Sequence, residues 1–432
     1  MQRSIPRIPP DRDLSIDAVR AVCLPIVVLL HALQMGIGGD PLRASNALDG
    51  WQPLAWATWV LMIMPTFFIA GGFAGITTWR RLRHAGETVG HYVRIRTLRL
   101  ARPVATAMAG VLLVLVAMLV AGVDVELLRT FAVRLAEPLW FIAVYVLVTA
   151  FVPLMSWLHH RAAWATYFGL AGAAVACDLL TRFAGIPLLP LNWLLVWLFV
   201  QQLGFGVRDG WYAKRPRRLL VGLAVAAYAL LVVAVFGLGY SNDMLDNLNP
   251  PTSTIILLAL AQCYLFTLLQ PAIRALMRRR PVLLAVGALG TFGMIVYLWH
   301  TVAMALVLWA QLAVGLPFPE PLSPSWWWTR IPWVLAIAAV IALLCLVVPR
   351  LERLWPEARD RRTPAWAAWA WSVVAVVGVG WTLVLGYLPL QQGLVGLALV
   401  LVAVVGLMVG GPGRGAEPRP GVAERREGAV RR

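Results

Sequence analysis

The 432-residue chain is 60% apolar and 13% charged, with a formal net charge of +17. A soluble chain would carry nearer a quarter charged residues. The apolar positions instead fall in runs of about 18–25, the length that crosses a bilayer as helix, and short alternating segments are missing, which excludes a transmembrane barrel. The expected fold class is all-α: a polytopic transmembrane helical bundle of about 12 spans, with a 10-span core and 2 further spans at the C-terminal end. Nucleic acid is excluded as a partner despite the basic excess, because the arginines sit in short segments between apolar runs.

Residues 1–16 are polar and contain Arg3, Arg7 and Arg12; the run behind them has no small-residue cleavage pattern, so it reads as a retained first span. That span, 17–36, holds Arg20 and His31. Both are costly at membrane depth and each asks for a reason. They are 11 positions apart, about three turns, so they share one face roughly 16 Å apart along the axis. Pro25 lies between them and bends the helix. An imidazole can take a proton from a hydroxyl near neutral pH. A guanidinium stays charged and holds phosphate or carboxylate.

Span two, 54–79, contains Met64-Pro65-Thr66-Phe67-Phe68-Ile69-Ala70-Gly71-Gly72-Phe73, where paired glycines allow close helix approach. Residues 80–102 carry seven arginines, with Arg96, Arg99 and Arg102 spaced i, i+3, i+6 on a helix leading into span three. Such a cluster suits a nucleotide phosphate or, more simply, anionic lipid. The next spans fall near 103–123, 138–157, 163–180, 190–207, 219–238 and 253–272. The 239–252 loop is turn-rich. Span nine, 282–311, contains Tyr297-Leu298-Trp299-His300, with Tyr297 and His300 on one side; this second histidine can orient the first or line an acceptor path. Trp326-Trp327-Trp328 precede span ten, 331–349, as interface anchors or a stacking platform for a sugar. Spans 366–388 and 392–410 form a tight pair, and the Gly/Pro/Arg-rich tail 411–432 reads as disordered. The resulting division is an N-terminal segment 1–16, a core 17–350, a helix pair 366–410 and the tail.

Thirty-one of the 37 Lys/Arg fall in alternate connecting segments beginning with the N-terminus, five fall in the others, and Arg20 completes the set. By the positive-inside rule both termini are then cytoplasmic, in a cell membrane protein with an even number of spans. The four cysteines all lie within spans and lack metal-ligand spacing, so no metal site is expected. No P-loop, HExxH or dinucleotide fingerprint is present.

Ile16-Asp17-Ala18-Val19-Arg20 followed by His31, then Phe67-Phe68-Ile69-Ala70-Gly71-Gly72-Phe73, resembles the acyltransferase family 3 membrane proteins. That family has a serine where Gly71 stands. Arg96-Thr97-Leu98-Arg99 (or Arg99-Leu100-Ala101-Arg102), Leu139-Trp140-Phe141 and Tyr297-Leu298-Trp299-His300 continue the resemblance in order across 14–350. The resemblance implies transfer of an acyl group, often acetyl, from cytoplasmic acyl-CoA to a hydroxyl or amine of a glycan, lipid or small molecule, with no tightly bound cofactor. It makes His31 the catalytic base. Arg20, Arg96 and Arg99 become contacts for donor phosphates or supports of the site helices, and His300 with Tyr297 a candidate acceptor path. The competing readings are a twelve-span secondary transporter, against which spans 1–6 show no repeat in 7–12, and a flippase or a silent scaffold of glycan assembly.

Overall fold

The computed structural model describes residues 13–358 and 363–409. The expected N-terminal segment up to residue 12 and the tail 411–432 lie outside them. The structure is 79% helical, and 12 of its helical segments are long and apolar enough to cross a membrane. The first is α1 (Leu14–Gln34), whose N-terminal amides are capped by Asp13, which accepts from Ser15 N at 2.9 Å and is also held by Arg274 Nη2 at 2.6 Å. A short hairpin follows, β1 (Met35–Gly38) with β2 (Arg43–Asn46), pairing Met35 with Asn46 and Gly38 with Arg43.

Two spans are broken. Span two consists of α2 (Gln52–Leu61) and α3 (Met64–His84), parted at Met62–Ile63 ahead of Pro65. The backbone freed by a break at membrane depth must find partners. Gln262 supplies one, donating to Met62 O at 2.7 Å, and is itself oriented by the Thr66 hydroxyl, from which it accepts at 2.6 Å. After α4 (Val89–Val120), span four consists of α5 (Val125–Ala136) and α6 (Leu139–Ala150), parted at Glu137–Pro138. Hydropathy alone begins this span at Pro138 and puts 124–137 in a loop, whereas the structure adds α5 to it. Hydropathy also puts an inner connection at 158–162, but those residues lie inside α7 (Val152–Ala184), which kinks at Ala162; the turn falls at Phe151, just before Pro153 in the first turn of the next helix.

The remaining helices are α8 (Asn192–Arg208), α9 (Arg217–Val232), α10 (Thr254–Leu276), α11 (Arg280–Val314), α12 (Pro324–Glu352), α13 (Ala365–Leu385) and α14 (Leu390–Val409). Helix α3 crosses α8 closely: a Cβ on Gly72 would meet the Gln201 carbonyl, and one on Gly204 the Ile69 carbonyl. Small residues let the two backbones touch where no hydrophobic effect drives helices together. The neighbouring Gly71 leaves room for the Tyr145 ring.

Helices α13 and α14 pack on α4 and α6. Buried Arg94 donates to the carbonyls of Leu407 at 2.7 Å and Met408 at 3.4 Å, and Thr97 and Ser372 share a hydrogen bond of 2.7 Å. Orphan carbonyls at the end of α14 thus find a charged donor on α4.

Candidate functional site

His31, in the last turn of α1, meets His300 of α11. Nδ1 of His31 lies 3.0 Å from Nε2 of His300, and the rings are 9° from parallel with centroids 5.0 Å apart. His300 Nδ1 lies against the carbonyl of Tyr297, one turn earlier on α11. A carbonyl only accepts, so that nitrogen carries the hydrogen. In the neutral ring Nε2 then accepts, and His31 Nδ1 is the donor to it. The unprotonated nitrogen of His31 is therefore Nε2. Tyr297 is itself fixed, its hydroxyl donating to Pro138 O at 2.7 Å across the break in span four.

His31 and Tyr297 line a cavity of about 550 Å³ between α1, α2, α5, α6 and the 245–249 loop. Most of its wall is apolar or aromatic, including Trp51, Trp140 and Trp193, with polar groups from Gln34, Asn46, Arg134 and Glu137. Arg134 is within electrostatic range of His31 and pairs with Glu137. Its Nε is buried without a hydrogen-bond partner among the described residues. Sequence reasoning missed this pair by counting Arg134 as a loop residue. The signal was present: an arginine and a glutamate at i, i+3 can neutralise each other inside a span.

Arg20, Arg96 and Arg99 form a second group. Arg99 feels the charges of Arg96 and Arg20, and Tyr145 stands nearby. The Arg20 guanidinium sits 5.6 Å from the Phe67 ring centroid, and Tyr92 lies against Arg96. Among the described residues none of the three is in an ion pair, and the Nε atoms of Arg20 and Arg96 are buried without hydrogen-bond partners. Like charges gathered without a carboxylate suit an anion. The third member of the i, i+3, i+6 series is not there: Arg102 donates to Pro356 O at 3.2 Å. Arg80 binds Asp209 instead, and Arg94 the end of α14.

The two groups are stacked along the bundle, and aromatic rings stand between them. Phe67, beside Arg20, contacts Phe141 at 5.1 Å, and Phe141 contacts Tyr297 at 5.1 Å; Tyr145 packs on both phenylalanines. Arg20 and His31 thus serve two separate places rather than one continuous void.

Arg330 was also read as a loop residue, but lies in α12. It is buried, packs between the rings of Trp326 and Trp333, and donates to Met35 O at 3.3 Å, holding the chain where α1 ends and β1 begins. Of the tryptophan triplet, Trp326 is buried against Ala47 and Leu48, while Trp328 is exposed.

No curated protein and no solved structure matches the chain. The family model described as "Acyltransferase domain" matches residues 13–349, more than three quarters of the chain, and includes α1 to α11 and most of α12. With twelve membrane-length helices around these residues, the chain belongs to acyltransferase family 3 and is a multi-pass membrane acyltransferase.

Proposed function

We propose that the protein moves an acyl group, acetyl in the simplest case, from acyl-CoA to an acceptor hydroxyl, with His31 as general base. The observation that carries the reading is the His31–His300–Tyr297 chain on the wall of the cavity, which leaves His31 Nε2 free to accept a proton. The acceptor hydroxyl gives its proton to Nε2 as its oxygen bonds to the thioester carbonyl carbon. The carbon–sulfur bond then breaks, and the CoA sulfur leaves with the proton returned by His31. Arg134, beside His31, offsets the charge that develops on the carbonyl oxygen.

Arg20, Arg96 and Arg99 hold the phosphates of the donor. Positive-inside counting puts their level on the cytoplasmic side and the cavity toward the outside, in a plasma membrane protein whose termini are both cytoplasmic. The donor then enters from the cytoplasm, and its thin pantetheine arm reaches His31 once the rings of Phe67 and Phe141, which stand between the two groups, swing apart. The test is transfer of radiolabelled acetyl from acetyl-CoA by purified protein in vesicles. A labelled ester formed by the wild type and lost in His31→Ala supports the reading. Equal turnover by the two proteins refutes it.

A further inference from the structure

The cavity wall is of two kinds. His31, Gln34, Asn46, Arg134 and Glu137 supply polar groups. Ile26, Leu29 and Leu33 of α1 with Leu54 and Leu61 of α2 supply an apolar lining. Leu29 and Leu61 line the cavity and are nevertheless 45% and 54% exposed. Both belong to segments long and apolar enough to cross a membrane, and leucines exposed on such segments suit hydrocarbon. The cavity is therefore open on its flank, between α1 and α2.

No hydrogen bond joins α2 to α1 among the described residues. The polar ties of α2 run the other way, to the 242–244 loop and α9: Trp59 Nε1 donates to Asn242 O at 2.7 Å, Met244 N to Thr58 Oγ1 at 2.9 Å, and the Tyr228 hydroxyl to Trp59 O at 3.1 Å. A chain sliding between α1 and α2 breaks no polar contact. Leucine walls favour hydrocarbon there, whereas each sugar hydroxyl pressed on them would lose its water without replacement.

We propose that the acceptor is a membrane-borne amphiphile, a hydroxylated headgroup on a hydrocarbon tail. It enters sideways from the bilayer, with its head at His31 and its tail leaving between Leu29 and Leu61. The assignment of the head rests on the transfer reaction proposed above, but the path of the tail can be read without any turnover.

The test uses the full chain in phospholipid vesicles with dodecyl β-glucoside carrying a photoactivated diazirine in its tail, and adducts mapped by mass spectrometry. Adducts are expected on the peptides bearing Leu29 and Leu61. Unlabelled dodecyl β-glucoside should reduce them by roughly tenfold, and methyl β-glucoside should not compete. Leu29→Trp combined with Leu61→Trp fills the opening and should remove the adducts. Leu29→Ala with Leu61→Ala keeps it open and should retain them, which separates blockage from misfolding. Adducts spread evenly over lipid-facing helices, or equal competition by both glucosides, overturn the proposal.

A second measurement compares the two glucosides as acyl acceptors, with kcat/KM expected to favour the tailed alcohol by roughly tenfold or more. Adducts at the opening without acyl product from any donor overturn the transfer reaction and leave the lateral path standing. Product formed equally from both alcohols supports the reaction and overturns the lateral path.

Discussion

Nδ1 of His31 and Nε2 of His300 come within 3.0 Å of each other, although 269 residues separate them in the chain. The contact orients the ring on the cavity wall and selects its tautomer. His31→Ala is expected to lower turnover by about 10²–10⁴-fold, the usual contribution of a positioned base. His300→Ala should lower kcat while leaving the donor KM nearly unchanged. His300→Gln, whose side-chain oxygen can still accept from His31 Nδ1, should recover part of the loss. Equal kcat in His300→Ala and His300→Gln would argue that the second ring only fills space.

Arg96→Ala and Arg99→Ala should each raise the donor KM by about 10–100-fold, as expected for losing a hydrogen bond to a charged phosphate. Arg20→Ala should act in the same way. Arg102→Ala is the comparison, because that side chain binds the Pro356 carbonyl, away from the group. Steady-state kinetics with varied acyl-CoA separates them. A donor KM equally raised by Arg102→Ala would mean that the segment acts through bulk charge.

Asp209, just beyond the end of α8, accepts from Arg80 Nη2 at 2.9 Å and from His159 Nε2 at 3.3 Å. Burial alone would raise its carboxyl, but the hydrogen bonds and charges of Arg80 and His159 outweigh that and hold it well below the usual carboxylate range. A depressed carboxyl contributes stability above its unfolded value, and the contribution is lost only as pH falls through the folded one. Asp209→Asn is therefore expected to lower stability near neutral pH by about 1–3 kcal/mol. The difference from wild type should shrink in strong acid. Thermal unfolding in detergent across pH measures both.

Gly204→Ala places a methyl group against the Ile69 carbonyl, where neither backbone can yield. Overpacking of this kind costs about 1–3 kcal/mol. Gly222→Ala is the control, since open space surrounds that position. Denaturation in mixed micelles should separate the two variants, and equal midpoints would show that the α3–α8 crossing is loose enough to take a methyl group.

Hydropathy made the spans legible, because twelve apolar runs of membrane length leave few alternatives. Arg20, His31 and His300 stood out because ionisable groups are rare in such runs, and Arg96 and Arg99 because their spacing in the 80–102 segment gathers them on one helix face. Arg134 and Arg330 did not, because each lies near a span end, where an arginine ordinarily reaches water. What distinguishes Arg134 is the glutamate at i+3, legible in the sequence, and what distinguishes Arg330 is the pair of indole rings packed on it, which only the structure brings together. The break at Glu137–Pro138 was equally hidden. The amphipathic α5 before it is too short and polar to be read as a span by itself, and its continuation into α6 makes it part of one.

The bond from Arg94 to the Leu407 carbonyl joins groups 313 residues apart. During synthesis, α4 enters the membrane long before its partner exists. The first ten spans must wait in the bilayer with one flank unfinished, and the assembly is locked only as α13 and α14 arrive. A polypeptide stopped near residue 350 would retain the matched family region, yet should linger as an unsealed bundle, open to degradation by the membrane's quality control.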